Sequence, residues 1–284
     1  MTRDTDELIR QSRATLQNPW AHLNGEGVYD ALLPQQAVAR AVIHPSDLLG
    51  GLSKGRRFSR TEIETIVRNL HRLMWQNRRQ ICGTEDVQPS KLLDPELALE
   101  VIGYKVTMHD SLGQHVGGRD SFEVAGIMDK DRNEVRISRR FAPALRNFTA
   151  AHELGHAILH EGTGLHRDRA PDGSAAGARD SEEMEADTFA ALFLLPEKQV
   201  CLAFERRFLT RSFRMTEATA FALFGASLRD LQRRCKNDRE LARILAGAQR
   251  YNGRHFQSLA EWFGVSVEVM AIRLEELGMA RLRG

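Results

Sequence analysis

The segment from Phe148 to His160 constrains the fold more than any other part of the chain. Its apolar residues recur at the three- and four-residue spacing of an amphipathic helix. Within this segment His152 and His156 stand four positions apart, so on a helix their side chains lie one turn apart, with Cβ atoms about 5–6 Å from each other. The sequence therefore predicts a helix with a packed apolar face and two imidazoles that reach a common point.

A pair of imidazoles at this spacing is typical of a zinc site, because two zinc–nitrogen bonds of about 2.0–2.1 Å suit the separation across one turn. Glu153 directly follows His152 and is therefore placed to address a zinc-bound water rather than to bind the ion. Zinc lowers the pKa of such a water to about 7, and a nearby carboxylate accepts its proton and later delivers it to the leaving amine. The pattern His-Glu-Leu-Gly-His thus predicts peptide-bond hydrolysis with one Zn²⁺ per chain and Glu153 as the catalytic residue.

A catalytic zinc site often takes its third protein ligand from a carboxylate, and a second predicted helix, from Ser181 to Pro196, supplies several. The acidic residues of this helix are Glu182, Glu183, Glu185 and Asp187. Glu185 is the preferred ligand, because it precedes Phe189 by four residues and so borders the buried side. Glu182 is the second choice, and Glu183 is expected to be a solvated charge.

Other polar residues near the two histidines receive supporting roles or none. His160 is not expected to bind the same ion, because two more helical turns carry it about 12 Å along the axis from His152. Asp187 is expected to orient one of the zinc histidines through a hydrogen bond. Tyr104, His109 and His115 are candidates for stabilising the transition state only through their position beside the predicted sheet.

Three stretches before the histidine helix have the pattern of β-strands: 104–109, 122–128 and 134–137. The last of these is expected to be an edge strand that aligns an extended substrate by β-augmentation. The segment 161–178 is expected to be a loop. These features predict an α+β fold, in which a small antiparallel or mixed sheet packs against the zinc-binding helices and the N- and C-terminal regions are helical.

The chain is expected to divide into three regions: an N-terminal helical region (1–90), a zinc metallopeptidase core (91–200) and a helical C-terminal region (201–284). Its net charge is only +2, which gives no general electrostatic case for nucleic-acid binding. The three cysteines are far apart, and the longest apolar run covers the seven residues from Phe189 to Leu195. Because the acidic start MTRDTDELIR also lacks the features of a secretory signal, the expected location is cytoplasmic, without a membrane span.

Two longer stretches carry a family resemblance. The segment from Arg146 to His156 (RNFTAAHELGH) and the segment from Glu185 to Pro196 (EADTFAALFLLP) together resemble the ImmA/IrrE family of metallopeptidases. The resemblance implies that Zn²⁺ is bound by His152, His156 and Glu185. It also implies a limited cut in a regulatory protein, usually a helix-turn-helix transcriptional repressor, and hence a role in transcription regulation and stress response.

The segment 256–278 is similar to the helix-turn-helix-like tail of that family. Gly264 suits the turn and Ser266 suits the start of the second helix. As a DNA reader the segment is poorly equipped, because Arg273 is the only basic residue between Ser266 and Glu276. Two alternatives stay open: a DNA-binding or protein-binding transcriptional regulator with a structural metal site, and an interaction protein with a vestigial one.

Overall fold

The histidine-bearing helix lies against a small mixed β-sheet in the computed structural model, which describes residues 42–117, 120–161, 165–169, 181–225 and 227–282. The helices of the N-terminal part are α1 (Pro45–Leu49), α2 (Arg60–Gln76), α3 (Arg78–Cys82), a 3-10 helix (Pro89–Leu93) and α4 (Pro95–Val101). The central elements are β1 (Lys105–His109), β2 (Gln114–Gly117), β3 (Asp120–Asp129), β4 (Glu134–Ser138), α5 (Pro143–Leu159), β5 (Leu165–Arg169) and α6 (Ser181–Leu194).

The remaining elements are mainly short helices. They are α7 (Glu197–Phe208), β6 (Phe213–Arg214), α8 (Glu217–Phe224), α9 (Leu228–Arg234), α10 (Asp238–Gly247), β7 (Arg250–Tyr251), β8 (Arg254–His255), α11 (Leu259–Trp262), α12 (Val267–Glu276) and β9 (Ala280–Arg281). The predicted α+β class, with a small mixed sheet and helical flanks, is confirmed. None of the described helices combines the length and the apolar character that a membrane span requires.

The sheet has the order β1-β4-β3-β2, and β5 also pairs with β3. β4 runs parallel to β1 and antiparallel to β3. The prediction that 134–137 forms an edge strand is therefore wrong, because β1 occupies the side expected to be open, with Lys105 opposite Glu134. The loop expected at 161–178 contains the strand β5, while 162–164 and 170–178 lie outside the described residues.

Local capping explains where several helices begin. Ser59 caps α2 and forms a capping box with Glu62, which satisfies two otherwise unpaired backbone N–H groups at the start of the helix. Ser266 accepts a hydrogen bond from the backbone N–H of Val269 and so starts α12 as predicted. Gly264, in the turn between α11 and α12, adopts the left-handed conformation with φ of 62°, which glycine reaches without steric cost.

One hydrophobic core extends through the described parts of all three predicted regions, from Ile43 near the N-terminal side to Ala280 near the C-terminus. The C-terminal helices are tied to the central region by polar contacts as well. Asn147 of α5 donates a hydrogen bond of 2.9 Å to the carbonyl of Gly264, and Arg273 of α12 donates one of 3.1 Å to the carbonyl of Leu195. The region boundaries at 90/91 and 200/201 stay predictions, and residues 1–41 lie outside the described residues.

Candidate metal centre

The two predicted zinc histidines lie on one face of α5, as their spacing requires. The Nε2 atoms of His152 and His156 are 3.0 Å apart. Both residues are buried, with exposed fractions of 7% and 2%. A rigid, buried mount of this kind keeps two metal ligands in place without a large entropic cost.

The acidic residue nearest to both imidazoles is Glu183 of α6. Its Oε2 lies 3.4 Å from Nε2 of His152, and its Oε1 lies 3.5 Å from Nε2 of His156. Tetrahedral ligands with bonds of about 2.0–2.1 Å are separated from each other by about 3.3–3.4 Å. His152, His156 and Glu183 thus form a group whose ligand atoms all lie within 4.8 Å of one another, and this His-His-carboxylate set suits zinc.

The structure differs here from the expectation for α6. Glu183, expected to be a solvated charge, faces the two histidines, and Glu185, the predicted ligand, does not. Residues two apart on a helix are rotated by about 200° around its axis, and the carboxylates of Glu183 and Glu185 accordingly contact different histidines. Ligation by Glu185 stays a prediction, and the geometry favours Glu183 in its place.

Glu185 instead ends a chain of hydrogen bonds that starts at His156, one of the two candidate histidine ligands. Nδ1 of His156 lies 2.9 Å from Nδ1 of His160. Nε2 of His160 lies 3.2 Å from Oε2 of Glu185, whose Oε1 accepts a hydrogen bond of 3.2 Å from the backbone N–H of Phe58. His160 therefore holds the ring of His156 through a hydrogen bond, and the expectation that it does not bind the ion stays a prediction.

These contacts set the tautomers of the two metal-binding rings. Nδ1 of His152 lies 2.9 Å from Oδ1 of Asp187, the contact that the sequence predicted for an orienting carboxylate. When Nδ1 carries the proton on both rings, the Nε2 lone pairs are left to converge on one point. Burial lowers the pKa of His160 below its ordinary value, which favours the neutral ring that accepts a hydrogen bond from His156.

Glu153, the predicted catalytic residue, is fully buried in α5, with an exposed fraction of 0%. Its carboxylate lies against β3 at Gly126, where an added Cβ would be 2.4 Å from Oε1 of Glu153. Gly126 is therefore needed to make room for the carboxylate. Sequence reasoning missed this role, although a lone glycine inside a strand pattern signals such a close approach.

A second glycine sets the distance between the two metal-binding helices. A Cβ at Gly155 would lie 3.1 Å from the Cα of Ala186 and 3.1 Å from the Cβ of Phe189. Because backbone atoms of α6 cannot give way as a flexible side chain does, α5 and α6 approach this closely only with glycine at 155. The approach brings Glu183 within reach of the two histidines.

Two lysines that the sequence did not single out cap the C-terminal end of α5. Nζ of Lys54 donates to the carbonyl of Ala157 at 2.8 Å, and Nζ of Lys130 donates to that of His160 at 2.9 Å. Burial lowers the pKa of both amines. Cations at a helix C-terminus offset its dipole, so these contacts hold in place the end of the helix that carries the histidines.

Of the three candidates for stabilising the transition state, Tyr104 is the one with an electrostatic interaction with Glu153. Burial, and after it the negative charge of Glu153, raises the pKa of the Tyr104 hydroxyl. His109 is exposed and lies 3.1 Å from the hydroxyl of Thr107. His115 packs edge-on against Phe122. The last two therefore have local partners that need no catalytic explanation.

A His-His-Glu group next to a second, buried glutamate suits a metallopeptidase site. Residues 100–236 match the family model described as the IrrE N-terminal-like domain, a peptidase family. These residues therefore form a domain of the ImmA/IrrE peptidase family, as the resemblance had implied. The match includes both histidines, Glu153 and Glu183. The comparison with curated proteins gave no match.

Proposed function

We propose that the protein is a zinc-dependent endopeptidase that makes a limited cut in a regulatory protein, and that this substrate is a helix-turn-helix transcriptional repressor. The observation that carries the peptidase proposal is the group formed by His152, His156 and Glu183 next to Glu153, within a peptidase-family domain. The choice of a repressor rests on the family resemblance. A cytoplasmic location follows from that choice, because the substrate acts on DNA.

The residues of the site divide the work as follows. A zinc ion held by His152, His156 and Glu183 would polarise a peptide carbonyl and acidify a water molecule. Glu153 accepts a proton from the attacking water at a carboxylate oxygen and delivers it to the nitrogen of the leaving amine. Because Glu153 is fully buried, this transfer takes place in a low-dielectric environment, where charge interactions are stronger than in water.

Asp187 and the pair of His160 and Glu185 position the metal-binding rings. Each holds an imidazole Nδ1–H, so that Nε2 stays unprotonated and correctly aimed. Tyr104 is our candidate to donate a hydrogen bond to the developing oxyanion, because the charge of Glu153 contributes to raising the pKa of its hydroxyl, which places the two groups in electrostatic reach, and a phenol is protonated at neutral pH. Glu183 and Asp187, one turn apart on α6, thus have different roles: Glu183 binds the metal and Asp187 orients His152.

A role as a DNA-binding regulator has less support from the C-terminal helices. Arg239 and Arg243 of α10 both pair with Glu268 of α12, so these basic side chains are used within the protein. Arg273 is buried and bonded to the carbonyl of Leu195. A helix that reads DNA needs accessible donors for phosphates and base edges, and α12 has acidic side chains where these would be required.

The test combines metal analysis with cleavage. Wild-type protein loaded with zinc is incubated with helix-turn-helix repressors of the same genome, and products are identified by mass spectrometry. A single cut that disappears with Glu153→Gln, while that variant keeps about one zinc per chain, is the expected result. Equal products from wild type and Glu153→Gln would overturn the proposal. Salt-sensitive binding to an operator sequence by both proteins, without cleavage, would instead favour the DNA-binding alternative.

A further inference from the structure

A cavity of about 590 Å³ lies apart from the metal centre, at the junction of α2, the 3-10 helix, the α6–α7 turn and α12. Its volume is within the range of small-molecule sites, which is about 300–1,000 Å³. None of the residues assigned to the metal centre lines it. The cavity is therefore a separate site, in which three regions of the chain meet.

The walls of the cavity are largely apolar. They include Val67 and Trp75 of α2, Leu92 and Leu93 of the 3-10 helix, and Leu192 of α6. Trp75 keeps an exposed fraction of 41%, large for a residue of its type next to a core. A ligand with an apolar body would remove this surface from water, which favours binding.

The polar side of the cavity has one more cationic side chain than acidic ones. Arg68, Lys198 and Arg273 line it, against the two acids Glu64 and Glu197. Arg273 is buried, with an exposed fraction of 6%, and its contacts with Leu195 and Glu276 use two of its five N–H donors. Arg273 already pairs with the carboxylate of Glu276 at 3.1 Å, so a ligand carboxylate would bind the remaining N–H donors of the same guanidinium.

Two further groups point to a missing partner. Pro196 precedes the twelve-residue helix α7 and gives it no side-chain cap, and the residues at this helix start line the cavity, where the helix dipole favours negative charge. In the cavity wall, Nε2 of His71 is buried and has no hydrogen-bond partner among the described residues. Because burial lowers the pKa of His71 to about 4, its ring is neutral at pH 7. Its other ring nitrogen is bonded to the backbone of Phe193, so the unpaired Nε2 is a hydrogen-bond acceptor that calls for a donor, such as a water molecule bound with the ligand, and not for the carboxylate itself.

We infer that this cavity binds a small amphipathic carboxylate, with its chain against Trp75 and Leu93 and its carboxylate beside Arg273, Arg68 and Lys198. Such a ligand contacts α2, the start of α7 and α12 at once. It therefore stabilises the packing of the C-terminal helices against the peptidase domain. The inference does not depend on the proposed peptidase activity.

Decanoate is the probe for this inference, and its uncharged counterpart decan-1-ol is the control ligand. Binding to the full chain is measured by calorimetry and by the change in tryptophan fluorescence, with wild type and Glu153→Gln in parallel, so that peptidase activity plays no part. Decanoate is expected to bind both proteins equally and more tightly than decanol. The fluorescence change is expected to disappear in Trp75→Phe.

Charge and shape are then tested separately. Arg68→Glu combined with Lys198→Glu is expected to weaken decanoate binding about tenfold, whereas Arg72→Glu, on the same helix but outside the lining, has no effect. Leu93→Trp fills the cavity and is expected to prevent binding in a folded protein, as judged by circular dichroism. Equal binding of decanol, unchanged affinity in the charge variants, or a dimer that forms through Trp75 and Leu93 would overturn the inference.

Discussion

Oδ1 of Asp187 lies 2.9 Å from Nδ1 of His152, one helical turn beyond Glu183 on α6. Oxygen and nitrogen at this distance form a hydrogen bond that fixes both the tautomer and the orientation of the ring. A single helix thus supplies the carboxylate that we propose binds the metal and the carboxylate that orients one of the proposed histidine ligands. The separate roles of these acidic residues of α6 can be tested by replacing them one at a time.

Replacing Asp187 with Asn is expected to weaken zinc binding by about 10–100-fold, because the amide holds the imidazole less firmly and lowers its basicity. Zinc affinity is measured by competition with a chelating dye. Glu182→Gln removes one charge from the same helix and is expected to bind zinc as wild type does. An unchanged affinity in Asp187→Asn would show that the contact does not orient the ligand.

Glu183→Gln and Glu185→Gln are expected to differ sharply in the amount of zinc that each variant binds. Glu183→Gln removes a carboxylate whose two oxygens lie 3.4 Å from Nε2 of His152 and 3.5 Å from Nε2 of His156, so bound zinc is expected to fall well below one per chain. Glu185→Gln weakens the contact with His160 and is expected to keep its zinc with a modestly lower affinity. Zinc lost in Glu185→Gln and kept in Glu183→Gln would restore the ligand assignment expected from the sequence.

Gly126→Ala is expected to destabilise the protein by about 1–3 kcal/mol, the usual cost of overpacking a filled site. The new methyl group would lie 2.4 Å from Oε1 of Glu153 and 2.7 Å from Cγ2 of Thr149, so the carboxylate must move and cleavage should fall further than stability. Thermal unfolding and peptide cleavage are measured together. Gly247→Ala is the control, because its methyl group would meet Val267 at an ordinary 3.6 Å.

The stability of the protein is expected to depend on His71 below neutral pH. Burial lowers the pKa of His71 from 6.5 to about 4 in the folded protein, so protonation favours the unfolded chain. The stability due to the neutral ring is complete above pH 6.5 and is lost as the pH falls towards 4, with an upper limit of about 3 kcal/mol.

Urea unfolding of wild type and His71→Gln between pH 7 and pH 4 measures this dependence. The difference between the two proteins in the free energy of unfolding is expected to change over that interval, because glutamine does not titrate. Parallel pH profiles for both proteins would contradict the lowered pKa. Zinc is removed from both samples, so that protonation of the metal-binding histidines contributes equally.

The parts of the site that lie on one helix could be predicted from the spacing of residues close together in the sequence. The spacing of His152 and His156 fixes their common face whatever surrounds the helix, because the geometry of an α-helix is local. The same holds for the cap at Ser266 and for the strand patterns that became β3 and β4. The family resemblance extended this to the peptidase class, and the family match agrees.

Residue spacing within one element did not determine how separate helices and strands pack against each other. The sequence favoured Glu185 as a ligand from the apolar pattern of α6, yet the rotation of α6 against α5 is set by the close contact at Gly155 and brings Glu183 to the histidines. Likewise β4 became an internal strand only because β1 pairs with it in parallel. The sequence by itself determined a histidine pair and its chemistry; the tertiary structure decided which carboxylate completes the group, since that depends on packing between helices whose contacts are distant in the chain.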